Sequence, residues 1–439
     1  MHGLWLDPMP SILLLPFHGI GHFNGLFGIA RRLQSTHEVT FSGVGFFLNH
    51  VESQGFTYRP LSSVPFGLGL ESWVHEIRKS KWPRWKNSRD RWTDRLYHDR
   101  RDELAKVLAD IKPVHVLVDA AQATDVVVLK SIDPNLRVSV VHVAPPYLLL
   151  PGLPPANSLA LPGNEKLIAE DHVKALRGIW DKRWRQRFKY FAPDDRWIVH
   201  RRLRKNHMFH LKADYLSLFT FAIKNIDQYV LTFREFDFYD TRLTGVRYVG
   251  AHADPMTVEK NTDSFVRLID EHKALGRRIV YCSFGTVPPD RDISRFLTML
   301  GELARELDCL VIVSAKYTGS FKADQEYSFV FDWVPQWTVL SKCDMFITHG
   351  GINSVHDGIR YCVPMLVYPL ALNYDQNGNS ARVVHRGLGL RGHLKHDTID
   401  ELRKKMLEIF TDSRFKRNLE QMKETISSYT ADAFVNLLT

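Results

Sequence analysis

Cysteine is scarce in this sequence: Cys282, Cys309, Cys343 and Cys362 are the four among 439 residues. All lie in the C-terminal half without paired spacing, three of them in apolar stretches. That argues against a disulfide framework and suits free thiols in a reducing compartment. Long apolar runs are also missing, and none reaches the roughly 18 residues that a membrane-spanning helix needs. The opening "MHGLWLDPMPSILLLPF" has no Lys or Arg before its short apolar stretch and no small-residue cleavage site. No secretory signal is therefore expected, and a cytoplasmic location is. Low-complexity segments and zinc-ligand spacings are absent as well.

What is present is the composition of a folded protein, with 44% hydrophobic and 24% charged residues. The length exceeds one ordinary core and predicts two or three domains. The net charge of +9 is concentrated locally. Residues 174–205 hold 12 basic and 3 acidic residues, and "KSKWPRWKNSRDRWTDR" around Trp85 and Trp92 is similarly basic and aromatic. Such stretches suit either a nucleic-acid or anionic-lipid surface or solvated amphipathic helices whose basic stems cover apolar surface. With no RNA-binding signature alongside, no nucleic-acid partner is expected; weak membrane-surface association is retained as a reading.

Short apolar, β-branched runs alternate with helical spacing: "SILLLPF", "HEVTF", "VHVLVDA" and "RVSVVHVAP", then, past Ala251, "RRIVYCSFGT", "LDCLVIVSA", "CDMFITHGG" and "VPMLVYP". This predicts an α/β protein of two doubly wound parallel-sheet, Rossmann-like domains facing a cleft. The expected division is residues 1–251, a polar, turn-rich linker at 252–264, and residues 265–439, with the closing helices able to pack back on the first domain. Ligands of such sheets bind at the carboxyl ends of strands.

One such end is "FITHGGINSVHDG", residues 346–358. A strand that passes through glycines into a helix aims backbone N–H groups and a positive dipole end above the sheet, which suits a phosphate or diphosphate. Gly350 and Gly351 allow close approach, His349 can donate to a phosphate oxygen, and Asn353 and Ser354 can cap the helix or bind the same anion. Asp357, one turn on, is placed for sugar hydroxyls. Upstream, Trp333 can stack on a base while Val334 and Gln336 meet its edge. Downstream, Asp375 and Gln376 form an acid–amide pair suited to vicinal hydroxyls.

"WVPQWTVL…CDMFITHGGINSVHDGIRYCVPMLVYPL…DQNGNSARVV" resembles the nucleotide-sugar signature of the family 1 glycosyltransferases, the UDP-glycosyltransferases of plants, animals and bacteria. The resemblance is close from Trp333 to about Arg382 and loose over the rest as the two-domain GT-B architecture. It implies Trp333, Val334 and Gln336 at uracil, His349, Gly351, Asn353 and Ser354 at the diphosphate, and Asp375 and Gln376 at the sugar. Asp357 stands at the ribose position, where the family usually has glutamate. "SFGT" matches a Ser-x-Gly-Ser/Thr loop and adds Thr286 to the phosphates. Ile352 stands where plant members have tryptophan, and Gly350 where they have cysteine.

In the first half, "LPFHGIGHFNG" spaces Gly19, Gly21 and Gly25 as G-x-G-x-x-x-G, which some nicotinamide-binding folds share. A dehydrogenase wants an acid about 20 residues on, and "HEVTFSGVG" ends without one. The resemblance instead implies His22 as a general base held by Asp119, with His18 and Asp125 as structural competitors. The implied activity is inverting transfer of a hexose, most simply glucose, from a UDP-sugar to a hydroxyl of a small lipophilic or aromatic acceptor. No metal or resident cofactor is expected. A TDP-deoxysugar transferase and a non-catalytic binder of nucleic acid or membrane are the alternatives. Phe46, Phe47, Trp82, Trp85, Pro146 and Tyr147 are candidates for the acceptor pocket.

Overall fold

A computed structural model describes residues 9–438 apart from 75–78, 80, 190, 219–220, 239–244, 252–258, 260, 286–292, 317 and 371–373. Thr286, proposed for the phosphates, and most of the expected linker lie outside the described residues. The helix Thr262–Ala274 begins inside the stretch expected as linker.

The first sheet contains β1 (Ser11–Leu15), β2 (Glu38–Val44), β3 (Thr57–Leu61), β4 (His115–Asp119) and β5 (Arg137–His142), followed after a short β6 (Lys212–Asp214)–β7 (Ala222–Lys224) hairpin by β8 (Gln228–Val230) and β9 (Val246–Tyr248). Their spatial order is 3-2-1-4-5-8-9, all parallel. The second sheet contains β10 (Arg278–Ser283), β11 (Cys309–Ser314), β12 (Ser328–Phe331), β13 (Met345–Thr348), β14 (Met365–Val367) and β15 (Gly389–Arg391), in the order 12-11-10-13-14-15, also parallel. Central strands of parallel sheets are covered on both faces, so they read as unbroken apolar runs. Ile12, Leu13, Leu14 and Leu15 of β1 are accordingly buried without residue, as are Val280 and Cys282 of β10. Cys282 and Cys309 are buried free thiols, and burial pushes the Cys309 thiol up to about 12.

Nine helices carry the rest of the account: α1 (Ile20–Leu33), α2 (Pro83–Thr93), α3 (Glu165–Trp184), α4 (Asp195–Lys205), α5 (Thr262–Ala274), α6 (Gln336–Leu340), α7 (Ile352–Arg360), α8 (Gln376–His385) and α9 (Ala431–Leu438). The last of these crosses back: Phe434, Val435 and Leu438 pack with Phe23, Leu33 and Tyr229 in the core of the first sheet. Arg137 also donates to the Leu438 carbonyl.

In both sheets the strand order reverses beside the first strand, between β1 and β4 and between β10 and β13. Connections on either side of such a point leave the sheet in opposite directions and open a crevice at the strand ends. The two crevices face each other. Asn353 at the start of α7 donates to the Gly21 carbonyl at the start of α1 (3.0 Å). Further out, Thr232 and His356 share a hydrogen bond (2.8 Å), and Arg382 pairs with the buried Asp237 (2.7 Å).

Candidate functional site

β1 and β4 are neighbours with Leu15 opposite Val118. That register sets Asp119, at the end of β4, beside the β1–α1 connection. The structure brings His22 and Asp119 together: His22 Nδ1 lies 2.7 Å from Asp119 Oδ2. His22 sits in the first turn of α1, one step beyond the glycine loop expected to carry it. The Phe17 and Ala121 backbone N–H groups also donate to the Asp119 carboxylate. Only 2% of the Asp119 side chain is exposed, against 25% for His22.

The electrostatics follow from that geometry. Burial raises the Asp119 carboxyl, but the His22 charge and hydrogen bond and the two backbone donors outweigh it and hold it below the ordinary range. An ionised carboxylate only accepts, so His22 Nδ1 carries the proton that is shared, and in the neutral ring Nε2 keeps its lone pair. Burial lowers the His22 ring, yet the Asp119 charge and hydrogen bond, joined by the Asp375 charge from across the cleft, leave it above its ordinary 6.5.

His18 and Asp125 are not part of this pair. Burial, then the charges of Arg100 and His22, push His18 down to about 4, and its ring stacks on Phe17. Asp125 is fully buried and takes a two-pronged pair from Arg100 (2.6 and 3.2 Å).

The opposite wall is built at β10 and β13, where Ser283 lies level with Thr348. The two following turns therefore touch. A Cβ on Gly285 would lie 2.7 Å from the His349 ring, and one on Gly351 would lie 2.5 Å from it. Neither distance is sterically available, so His349 occupies a slot that only two glycines leave open. Gly350 has φ +82°, and Asn379 holds its carbonyl (2.9 Å). Burial lowers His349 to about 4, so the ring is neutral at neutral pH. Its Nδ1 is buried without a hydrogen-bond partner among the described residues.

Neither α1 nor α7 has a side-chain cap at its N-terminus. Two helix starts without a side-chain cap thus meet across the cleft, each directing a positive dipole end into it. An anion between them is favoured from both sides. Asn353 makes the bridge to Gly21, and Ser354 lies half-buried in the same first turn of α7.

Asp357 is one turn further on and buried. Burial raises its carboxyl; Gln336 donates to one of its oxygens and Arg360 to the other (both 2.7 Å). Gln336 and Asp357, expected at base and ribose, are therefore in direct contact. Val334 is buried, while the Trp333 indole is 51% exposed. Asp375 accepts from Asn379 (2.9 Å) and lies close enough to His22 for each to move the other's titration. Gln376 accepts from the Leu370 N–H (2.8 Å).

Several contributors were missed by sequence reasoning. Arg360 orients Asp357, Asn379 braces both Gly350 and Asp375, and Glu259 accepts from the Trp337 and Thr338 N–H groups that open α6 (both 2.8 Å). Arg360 and Asn379 follow Asp357 and Asp375 by three and four residues, a helical spacing that could have revealed them. Glu259 carried no local signal.

Beside the α8 end of the cleft is a cavity of about 940 Å³, lined among others by Leu176, Ile179, Trp180, Leu218, Phe221 and Asn377. None of the six aromatic and proline positions proposed for an acceptor pocket lines it. Phe46, Trp82 and Trp85 are exposed, and Phe47 belongs to the core of the first sheet.

Residues 257–432 match the family model described as UDP-glucoronosyl and UDP-glucosyl transferase. Residues 257–432 therefore form a domain similar to the UDP-glycosyltransferases. That glycosyltransferase domain is similar to UDP-glucuronosyltransferase 3A1 of Homo sapiens, 40% identical over 89 residues, or 20% of this chain and 17% of that one. A putative UDP-glucuronosyltransferase, ugt-46 of Caenorhabditis elegans, is 27% identical over 210 residues, 46% of this chain and 39% of that one. The chain thus matches well under half the length of these relatives. Over the whole chain the fold is GT-B: the solved glycotransferase of kitacinnamycin superposes with a TM-score of 0.66 at 17% identity, covering 98% of each chain.

Proposed function

We propose that the protein transfers a hexose, most simply glucose, from a UDP-sugar to a hydroxyl of a small lipophilic or aromatic acceptor, with inversion. The observation that carries this reading is the 2.7 Å His22–Asp119 pair standing across the cleft from Asp375 and the start of α7. An alcohol is a poor nucleophile at neutral pH. His22 Nε2 takes its proton as the oxygen attacks the anomeric carbon. Asp119 holds the ring and stabilises the imidazolium that forms. The bond to UDP breaks on the opposite face of the sugar, and the departing diphosphate gathers charge where the N–H groups of α7 and the neutral His349 can donate. Asp375 and Gln376 would meet the sugar hydroxyls, and Asp357 with Gln336 the ribose and base. The apolar part of the lining of the 940 Å³ cavity, Leu176, Ile179, Trp180, Leu218 and Phe221 among charged neighbours such as Lys174 and Asp171, is compatible with a lipophilic acceptor.

A donor-by-acceptor screen read by mass spectrometry tests the reaction. Calorimetry with UDP and with TDP separates the uridine donor from the TDP-deoxysugar alternative. Trp333→Ala is expected to weaken UDP binding by roughly 1–3 kcal/mol, the scale of aromatic stacking on a base. Unchanged affinity in a folded variant would remove Trp333 from the site.

Donation from the helix end and His349 is proposed to serve in place of a cation, so activity should survive EDTA. Loss on chelation that magnesium or manganese restores would overturn this account of the diphosphate site. The pH profile is a further check. His22 acts while neutral and its value lies above 6.5, so kcat/KM should fall as pH drops through a limb above 6.5. Asp119→Asn removes the charge that raises the ring, and the limb of the residual activity should move to lower pH. A limb that stays in place would assign it to another group.

A further inference from the structure

Tryptophan is large and normally well covered. Yet Trp82, Trp85, Trp92, Trp180, Trp184 and Trp197 all stand exposed in the first half of the chain, the least of them at 39%. Several of them, with neighbouring rings, are joined by direct contacts. The Trp92 indole on α2 donates to the Phe191 carbonyl (3.1 Å) and packs edge-on against Trp197 of α4 (5.8 Å). At the end of α3, Trp184 stacks on Phe188 (4.3 Å), and Arg183 and Arg187 tie that end to Asp194, the cap of α4. Phe191 is 82% exposed at a positive φ of 46°. A bulky side chain rarely adopts that conformation, and here it carries an aromatic ring into solvent.

The exposed charge around these rings is predominantly basic. The acids Asp90, Asp194 and Asp195 are buried: Arg91 meets Asp195 from the interior, while Arg89 pairs with Asp90 and Arg183 and Arg187 with Asp194. Of the acidic residues on α2, α4 and residues 174–194, only Asp181 is exposed, beside the exposed Arg84, Arg89, Lys182, Arg185 and Arg187. If this were merely a solvated helical face, basic stems would cover apolar surface. Here the rings themselves point outward, and arginines lie over Trp85, Trp180 and Trp197.

We infer that this face docks on an anionic lipid bilayer, with Trp85, Trp184, Phe188 and Phe191 entering the interface and the flanking Lys and Arg side chains held by lipid headgroups. Mixed tryptophan–basic helices are the chemistry of interfacial association. A single-stranded nucleic acid would need a groove with open stacking platforms, whereas these rings are already packed on each other and on arginines. The position also makes sense of α3, which lines the 940 Å³ cavity through Leu176, Ile179 and Trp180 and carries Trp184 at its end. On the proposed transferase reading, a lipophilic acceptor could pass from bilayer to cavity along one helix.

Vesicle flotation of the full chain tests the docking without reference to catalysis. Binding to phosphatidylcholine vesicles containing phosphatidylglycerol, with a blue shift of tryptophan emission, is expected, and binding to phosphatidylcholine alone should be much weaker. Combined Trp85→Ser, Trp184→Ser and Phe191→Ser should lower vesicle partitioning on the order of tenfold, while calorimetric UDP affinity stays at the parental value and reports the fold. No binding to either vesicle, or parental binding by a folded triple variant, would overturn the inference. Steep salt-dependent binding to single-stranded DNA without vesicle binding would also overturn it, and would give the face to nucleic acid.

Discussion

His22→Ala is expected to lower kcat by roughly 10²–10⁴-fold, the scale of general-base catalysis, while UDP affinity measured by calorimetry stays near the parental value. The separation follows from where the residues sit. His22 belongs to α1 and the first sheet, whereas His349 and the start of α7 belong to the second. Asp119→Asn should also lower kcat, because an amide cannot stabilise the imidazolium and can hold the ring in the wrong tautomer. The double variant should be little worse than His22→Ala alone, since the two side chains act as a unit. A folded His22→Ala protein that binds UDP and turns over an ordinary alcohol at near the parental rate would refute the assignment. An unusually acidic phenol would be a poor acceptor for this test, because it needs no base.

The second large effect concerns stability. Arg91→Ala is expected to destabilise the fold around the first sheet by about 3–5 kcal/mol, the scale for removing one partner of a buried ion pair. Arg91 is almost completely buried. It donates to Glu71 (2.5 Å), to Asp195 (2.6 Å) and to the Pro193 carbonyl (2.8 Å). These bonds tie α2 to α4 and to the turn that holds Glu71. Without the guanidinium, Glu71 and Asp195 remain buried close together, and Lys182 and Gln186 reach only Asp195. Arg91→Ala with Glu71→Gln should recover part of the loss, because one buried carboxylate is then gone. Urea unfolding followed by tryptophan emission would read both. A loss below about 1 kcal/mol, the scale of an exposed pair, would mean that the site admits water.

The surroundings of the site divide by the range of the forces that make them. The strands were legible because a strand covered on both faces must be apolar along its length, and β1, β4, β10 and β13 are. The candidate anion position was suggested because glycines between a strand and a helix have a local conformational reason, visible in Gly350 and Gly351. The positions of His22 and Asp119 came from resemblance to a family. Nothing local links residues 97 apart; their contact depends on β1 and β4 being neighbours in register. The slot for His349 was hidden for the same reason, since Gly285 and Gly351 close on it only because β10 lies beside β13.

The sequence by itself determined that two parallel α/β sheets form, where their strands end in glycine turns, and which of those turns can face an anion, because periodicity and backbone freedom act over a few residues. Only the tertiary structure decided which side chains meet. Asn353 reaches the Gly21 carbonyl instead of standing free for a ligand, Gln336 bonds Asp357, and Glu259 caps α6. The 940 Å³ cavity is lined from α3 and α8, and none of the aromatic positions near residues 46, 82 and 146 borders it. Packing also turned Arg91 of α2 and Arg202 of α4 inward and left the tryptophans outside. These outcomes rest on contacts between distant segments, where burial, the need to pair each buried charge, and the space left by a missing Cβ are settled by neighbours that the local sequence does not name.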